Sequence, residues 1–283
     1  MSAATLPATG LTLHLDAGQG VTFDGSNNVS SWADQSGNTN DFTQANAAFQ
    51  PTYVANNAGF NNLPTFSFAF DDTGETNTGS FLSRSDSLGF TGNPAMTVFV
   101  VMAATGERPF QFGDTGASNG GEVAGFDADA SWRFNNGFRQ YANDNIDDGT
   151  LAIGTWWKDT GDFYDEVLFA KNGPTPATAT SASGTASTTE LNIPTAGSAD
   201  GLGAAVGMGW GSDQGLDQPY NGINGDIAEL IVYDRALSET ELNEVGFYLQ
   251  EKYGVAGNFV PEPGSLALLG AGGLLMLARR RRA

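Results

Sequence analysis

The sequence predicts an all-β protein, a β-sandwich with one C-terminal amphipathic helix, and three observations carry that prediction. Apolar and polar residues alternate with a period of two in many short runs. The runs are separated by Gly, Asn and Asp, including 38 glycines in 283 residues, which suits the turns of a many-stranded sandwich. Helical periodicity is almost lacking before residue 236, so the core has to come from sheet packed on sheet.

Taken in order, "LTLHLD" at 11–16 sets Leu11, Leu13 and Leu15 against Thr12, His14 and Asp16. This is the pattern of a half-buried strand with His14 on its solvent side. Trp32 is assigned to the core. "TFSFAF" at 65–70 alternates through Phe66, Phe68 and Phe70, while "AMTVFVVMAA" at 95–104 is apolar on both faces and predicts a central strand covered on each side. Further strands are expected in "SWRF" (131–134), "FRQYA" (138–142), "EVLFAKNG" (166–173), "LGAAVGMGW" (202–210) and "GDIAELIVYD" (225–234). The Thr-, Ala- and Ser-rich stretch 174–201 reads as a long loop or loose hairpin.

One helix is well signalled. Ser238 and Glu241 form a capping box, Leu237 and Leu242 occupy the staple positions, and Leu242, Val245 and Leu249 make an apolar stripe ending at Gly254. The helix is expected across an end or edge of the sandwich.

Charge and composition exclude several functions. The chain carries 32 acids and 12 bases, a net −20, and residues 1–260 hold 31 acids against 8 bases. Such a surface repels nucleic acid, whose phosphates need Lys and Arg. No cysteine is present, which removes disulfides, thiol nucleophiles and thiolate metal sites. A Ser-His-Asp triad or a histidine zinc site would rest on His14 alone, so histidine-based catalysis is not expected.

The C-terminus has three parts: Val260-Pro261-Glu262-Pro263, the uncharged stretch Gly264 to Ala278, and Arg279 to Arg282. Fifteen helical residues span about 22 Å, short of a hydrocarbon core of about 30 Å, so insertion relies on arginines that snorkel to the interface. Four arginines hold the C-terminus in the cytoplasm and leave everything before Pro261 outside. These parts, in this order, resemble a PEP-CTERM sorting signal, with Pro261, Glu262, Pro263, Arg279, Arg280, Arg281 and Arg282 as its marker residues. The resemblance implies export in a Gram-negative bacterium that makes exopolysaccharide, anchoring in the inner membrane, and removal of the signal by a membrane exosortase. The destination is then the cell surface or extracellular matrix. It also implies an N-terminal signal peptide, and since residues 1–16 have neither a basic n-region nor an apolar h-region, either the true start lies upstream, which is the reading favoured, or the sequence begins near a mature N-terminus. "LPATG" at 6–10 fits a sortase pattern but precedes a whole domain instead of an anchor, and is read as chance.

The phrase "YNGINGDIAELIVYDRALSETELNEVGFYLQEKYGV" resembles the closing strand and helix of laminin-G-like, concanavalin-A-like jelly rolls. "LTLHLDAGQGV", "VSSWADQSGNTNDFTQ" and "LPTFSFAFDD" are similar to the opening half of that group. The implied organisation is an N-terminal extension at 1–9, a jelly-roll domain at 10–258 and a sorting signal at 259–283 with a membrane helix at 264–278. Hydrolases of this fold carry Glu-x-Asp-x-x-Glu on a strand. No such run occurs, the nearest being "DFYDEV" at 162–167, so no catalytic residue is expected.

Two kinds of binding site are expected instead. Trp132, Tyr141, Trp156 and Trp210 lie where binding loops of the fold vary and are candidate sugar platforms. Asp71 and Asp72, which follow a strand, and Asp226, which precedes the last one, are candidate ligands for Ca2+. "NDNIDDG" at 143–149 fails as a calcium loop in both frames. The expectation is an exported, non-catalytic, carbohydrate-binding or adhesive protein. A self-associating matrix protein without a sugar ligand, and after it a glycoside hydrolase, are the alternatives. The partners are an exosortase-type enzyme, polysaccharide, and the membrane through the C-terminal helix.

Overall fold

The computed structural model describes residues 6–71, 78–106, 109–112, 125–127, 131–134, 137–141, 148–161, 166–177, 179–182, 193, 203–207 and 222–260. Within these residues the chain forms a sandwich of two antiparallel sheets. The larger runs β16 (Leu168–Lys171), β15 (Ala152–Lys158), β10 (Met96–Gly106), β19 (Ile223–Tyr233), β6 (Leu63–Phe68) and β5 (Thr52–Asn57). In addition, β1 (Leu11–Asp16) pairs with Glu229–Tyr233 of β19, on the side where β6 pairs with Gly225–Ile227. The second sheet runs β11 (Phe110–Phe112), β18 (Ala204–Val206), β9 (Leu82–Arg84), β4 (Phe42–Thr43), β3 (Val29–Trp32) and β2 (Val21–Phe23). A small sheet joins β12 (Gly125–Asp127), β13 (Ser131–Phe134), β14 (Gly137–Tyr141) and β17 (Ala179–Ala182), and β7 (Phe70–Asp71) pairs with β8 (Thr78–Gly79).

The period-two pattern has its expected consequence. Leu13, Leu15, Phe66, Phe68, Val98, Val100, Leu230 and Val232 leave one face of the large sheet and meet Val29, Trp32, Phe42, Leu82, Phe110 and Val206 from the other. Trp32 is fully buried as expected, its ring centroid 4.4 Å from that of Phe66. β10 is central and covered on both sides: Val98, Val100 and Met102 enter this core, and Phe99 and Val101 enter a second one.

The second core lies between the outer face of the large sheet and α1 (Glu239–Tyr253). The helix begins as its sequence dictates, with Ser238 and Glu241 in a reciprocal capping box, and stops at Gly254 with φ 70°. Its position differs from expectation. Leu242, Val245 and Leu249 pack across the sheet face and not on an end or edge, because Phe99, Val101, Ile153, Ile231 and Tyr233 make that face apolar.

One further reading is corrected. The run 152–158, taken as part of a variable middle, is an interior strand of the large sheet between β10 and β16, with every residue buried. Within the stretch 174–201, read as a long loop or loose hairpin, Ala179–Ala182 forms β17 and Ile193 bridges to Gly92.

Candidate functional site

A buried charge network sits on the outer face of the large sheet, under the C-terminal half of α1. Its centre is Glu229, on β19, which with β10 is the longest strand among the described residues. The β10–β19 register steps between Val101 opposite Glu229 and Met102 opposite Ile227, so Ala228 is an extra residue. This bulge reverses the alternation of β19: Ile227 faces the inner core, whereas Leu230 and Val232 face it beyond the bulge. Asp226 and Glu229, three residues apart, therefore both point outward. Ala17 N–H donates to the carbonyl of the bulged Ala228 at 2.9 Å.

Glu229 has no exposed surface. Its Oε1 lies 2.7 Å from His14 Nε2 and accepts from Tyr248 OH at 3.0 Å. Its Oε2 accepts from Lys252 Nζ and from Tyr253 OH, each at 2.7 Å. Asp16, directly opposite Glu229 on β1, accepts from Gly18 N–H, Gln19 Nε2 and Lys252 Nζ at 2.8, 2.8 and 2.7 Å. Two carboxylates opposed across a strand pair repel each other, and the ammonium of Lys252 between them offsets that repulsion. Burial on its own would raise the Asp16 carboxyl. The charge and hydrogen bond of Lys252, with the Gly18 and Gln19 donors, bring it below its ordinary value. Lys252 moves up, the pull of Glu229 and Asp16 outweighing burial, and the Tyr248 and Tyr253 hydroxyls are pushed up by burial and by Glu229.

His14, Asp16 and Glu229 are the group among the described residues whose ligand atoms lie close enough for a shared metal ion. The donors already present decide against that use. Each Glu229 oxygen has two partners and Asp16 Oδ2 has two, so the lone pairs facing the cluster are engaged and Lys252 occupies the cationic position. The arrangement is an ionic clamp fastening α1 and β1 to β19. His14 is accordingly not a solvent-facing strand residue: its side chain is 12% exposed and lies beneath the helix. Glu229 was not among the residues that the sequence singled out. The available signal was a single acid inside the apolar run Ile227–Tyr233, which calls for a buried cationic partner.

The expected aromatic platform divides. Trp156 is fully buried in the inner core, on β15 opposite Val98, and presents no face to a glycan. Trp132 lies on β13 and Tyr141 on β14 of the small sheet. The register sets Trp132 opposite Arg139, and Tyr141 is the last residue of β14. Trp210 lies outside the described residues, as does "NDNIDDG" through residue 147.

Of the proposed calcium ligands, Asp72 lies outside the described residues and Asp71 is exposed at the end of β7. Asp226 is half-buried and accepts from Asn57 Nδ2 at 3.2 Å and Thr65 Oγ1 at 3.4 Å. Burial raises its carboxyl against those hydrogen bonds.

The folded body continues to Val260, past residue 258. Phe259 is 3% exposed and belongs to the core beneath α1. Pro261, Glu262, Pro263, the stretch 264–278 and Arg279 to Arg282 lie outside the described residues. Among the described residues no helix is long and apolar enough to cross a membrane.

Comparison with solved structures finds similarity of fold at low identity. An arabinofuranosidase complexed with arabinofuranosyl-alpha-1,2-xylobiose has a TM-score of 0.50 at 15% identity, over 83% of this chain and 53% of that one. The binding domain of Paraclostridial Mosquitocidal Protein 1 has a TM-score of 0.47 at 10% identity, over 84% and 52%. A Trypanosoma rangeli sialidase in complex with 2,3-difluorosialic acid has a TM-score of 0.47 at 16% identity, over 88% and 34%. The chain thus spans between a third and about half of the solved chains it matches. No curated protein matches it in sequence. At the C-terminus, residues 259–282 match the PEP-CTERM protein-sorting motif, the mark of an exported protein sorted by an exosortase.

Proposed function

We propose that this is an exported, non-catalytic surface or exopolysaccharide-matrix protein that binds carbohydrate or acts as an adhesin, built on a laminin-G-like jelly roll. The observation that carries the reading is the sorting motif at residues 259–282, directly behind a sandwich whose chain through residue 260 holds 31 acids against 8 bases. A protein delivered through the inner membrane to a polysaccharide-rich exterior meets glycans first. The small sheet is the candidate contact surface. Its register sets Trp132 opposite Arg139, and Tyr141 ends the same strand as Arg139; aromatic and guanidinium groups are the residue types that suit a sugar ring with its hydroxyls.

The test is glycan-array binding by residues 6–260, run with Ca2+ and again with EDTA. Selective binding that is lost in Trp132→Ala and Tyr141→Ala supports the reading. Absence of binding under both conditions, from a folded and monodisperse protein, transfers the assignment to a self-associating matrix protein without a sugar ligand.

A further inference from the structure

The chain turns back at Gly254 and runs antiparallel along the helix it has just completed. Val255 N–H donates to the Gln250 carbonyl at 3.1 Å and Asn258 N–H to the Asn172 carbonyl at 2.7 Å. Gln250 then grips the backbone of Phe259 from both sides. Its Oε1 accepts from Phe259 N–H at 3.3 Å, and its Nε2 donates to Phe259 O at 3.5 Å. Val260 N–H donates to Asn243 Oδ1 at 3.1 Å. The Phe259 ring lies on Gly246, so close that a Cβ added there would overlap it. Residues 255–260 are thus a strap lying over α1 and the residue that follows β16.

The sorting motif begins inside this strap. Phe259 and Val260 are its first two matched residues and both are docked on the helix. Only Pro261, Glu262 and Pro263 separate Val260 from the apolar stretch that starts at Gly264. Three residues reach at most about 11 Å. An enzyme working at the membrane has to admit polypeptide on both sides of Pro-Glu-Pro, and the upstream side is the part held against α1.

Resting on the reading of the tail as an exosortase signal, we infer that the strap 255–260 must leave α1 before the motif can be processed, so that its docking sets the rate of conversion from anchored precursor to released protein. The contacts that set this rate, Gly246, Gln250 and Asn243, lie outside the matched motif. They can be altered without touching the residues the enzyme reads.

The experiment follows the full chain by pulse-chase in a Gram-negative host carrying an exosortase-type enzyme, together with hydrogen exchange at the amides of residues 255–260 in purified protein. Gln250→Ala removes both bonds to Phe259 and is expected to raise exchange at the strap and speed conversion, each about fivefold. Gly246→Ala, which displaces the ring, should do the same, and Gln250→Ala carries the test should Gly246→Ala fail to fold. Faster exchange with wild-type conversion overturns the inference and leaves the sorting reading intact. A wild-type chain that is exported but never shortened overturns the sorting reading, and the inference with it.

Discussion

Lys252 Nζ lies 2.7 Å from Glu229 Oε2, an ion pair that joins the last turn of α1 to a carboxylate with no exposed surface. Its worth is in what its loss would leave behind. Lys252→Met would strand Glu229 and Asp16 facing each other without a cation, at a cost of about 3–5 kcal/mol in urea denaturation. Glu229→Gln combined with Lys252→Met should cost less than the two single changes added together, since each removes the charge whose partner the other takes away.

The same network sets an acid limit. Asp16 lies below its ordinary value of 3.8 in the folded state, against the upward effect of its burial, through Lys252, Gly18 and Gln19. A carboxyl depressed by folding adds stability that is complete above 3.8 and lost as the pH falls below it. Thermal melts from pH 7 to pH 2 should steepen below pH 4 in the wild type and less so in Asp16→Asn.

At the other end of the helix, Arg235 holds Glu241 in a two-armed ion pair at 2.8 and 2.6 Å, and Ser238 adds hydrogen bonds. Arg235 first, and then Ser238, lower the Glu241 carboxyl from 4.5 to about 2. Its contribution is present above 4.5 and fades as the pH falls through that interval. Ser238→Ala is expected to cost about 1 kcal/mol by chemical denaturation, through loss of the cap.

The division of the tryptophans is open to direct measurement. Trp156→Ala should cost about 3–5 kcal/mol by opening a cavity in the inner core. Trp132→Ala should change glycan binding far more than stability. A Trp156→Ala protein that melts as the wild type does and loses only binding would reverse this assignment.

Calcium can be tested at Asp226. Burial raises this carboxyl, so its contribution is complete below 3.8 and declines as the pH rises through the folded value. Asp226→Asn is expected to be at least as stable as the wild type at pH 7. Were Asp226 a calcium ligand, added Ca2+ would raise the melting temperature of the wild type and not of Asp226→Asn, with EDTA reversing the gain.

Local pattern and long-range geometry contributed differently to these conclusions. The strand at 11–16, the doubly covered strand at 95–104, the capped helix and its stop at Gly254 were all legible, because each is dictated by period, composition or capping within a short window. β15 was not. Its seven residues contain Gly154 and two tryptophans, which read as readily as a loop, and only pairing with β10 makes them a strand interior. The clamp was also hidden, since His14, Asp16, Glu229 and Lys252 are up to 238 residues apart in the chain and the bulge at Ala228 sets their common face.

By itself, then, the sequence determined an acidic, cysteine-free β-sandwich with a capped helix and a C-terminal sorting motif, because turn residues, alternation and motif order act over short distances. Tertiary structure alone decided that α1 covers a sheet face, that Trp156 is core and that Lys252 neutralises two opposed carboxylates. It also decided that the sorting motif starts from a docked strap. Each depends on which distant surfaces meet once the sheets close, a matter of burial and register that no local stretch of chain encodes.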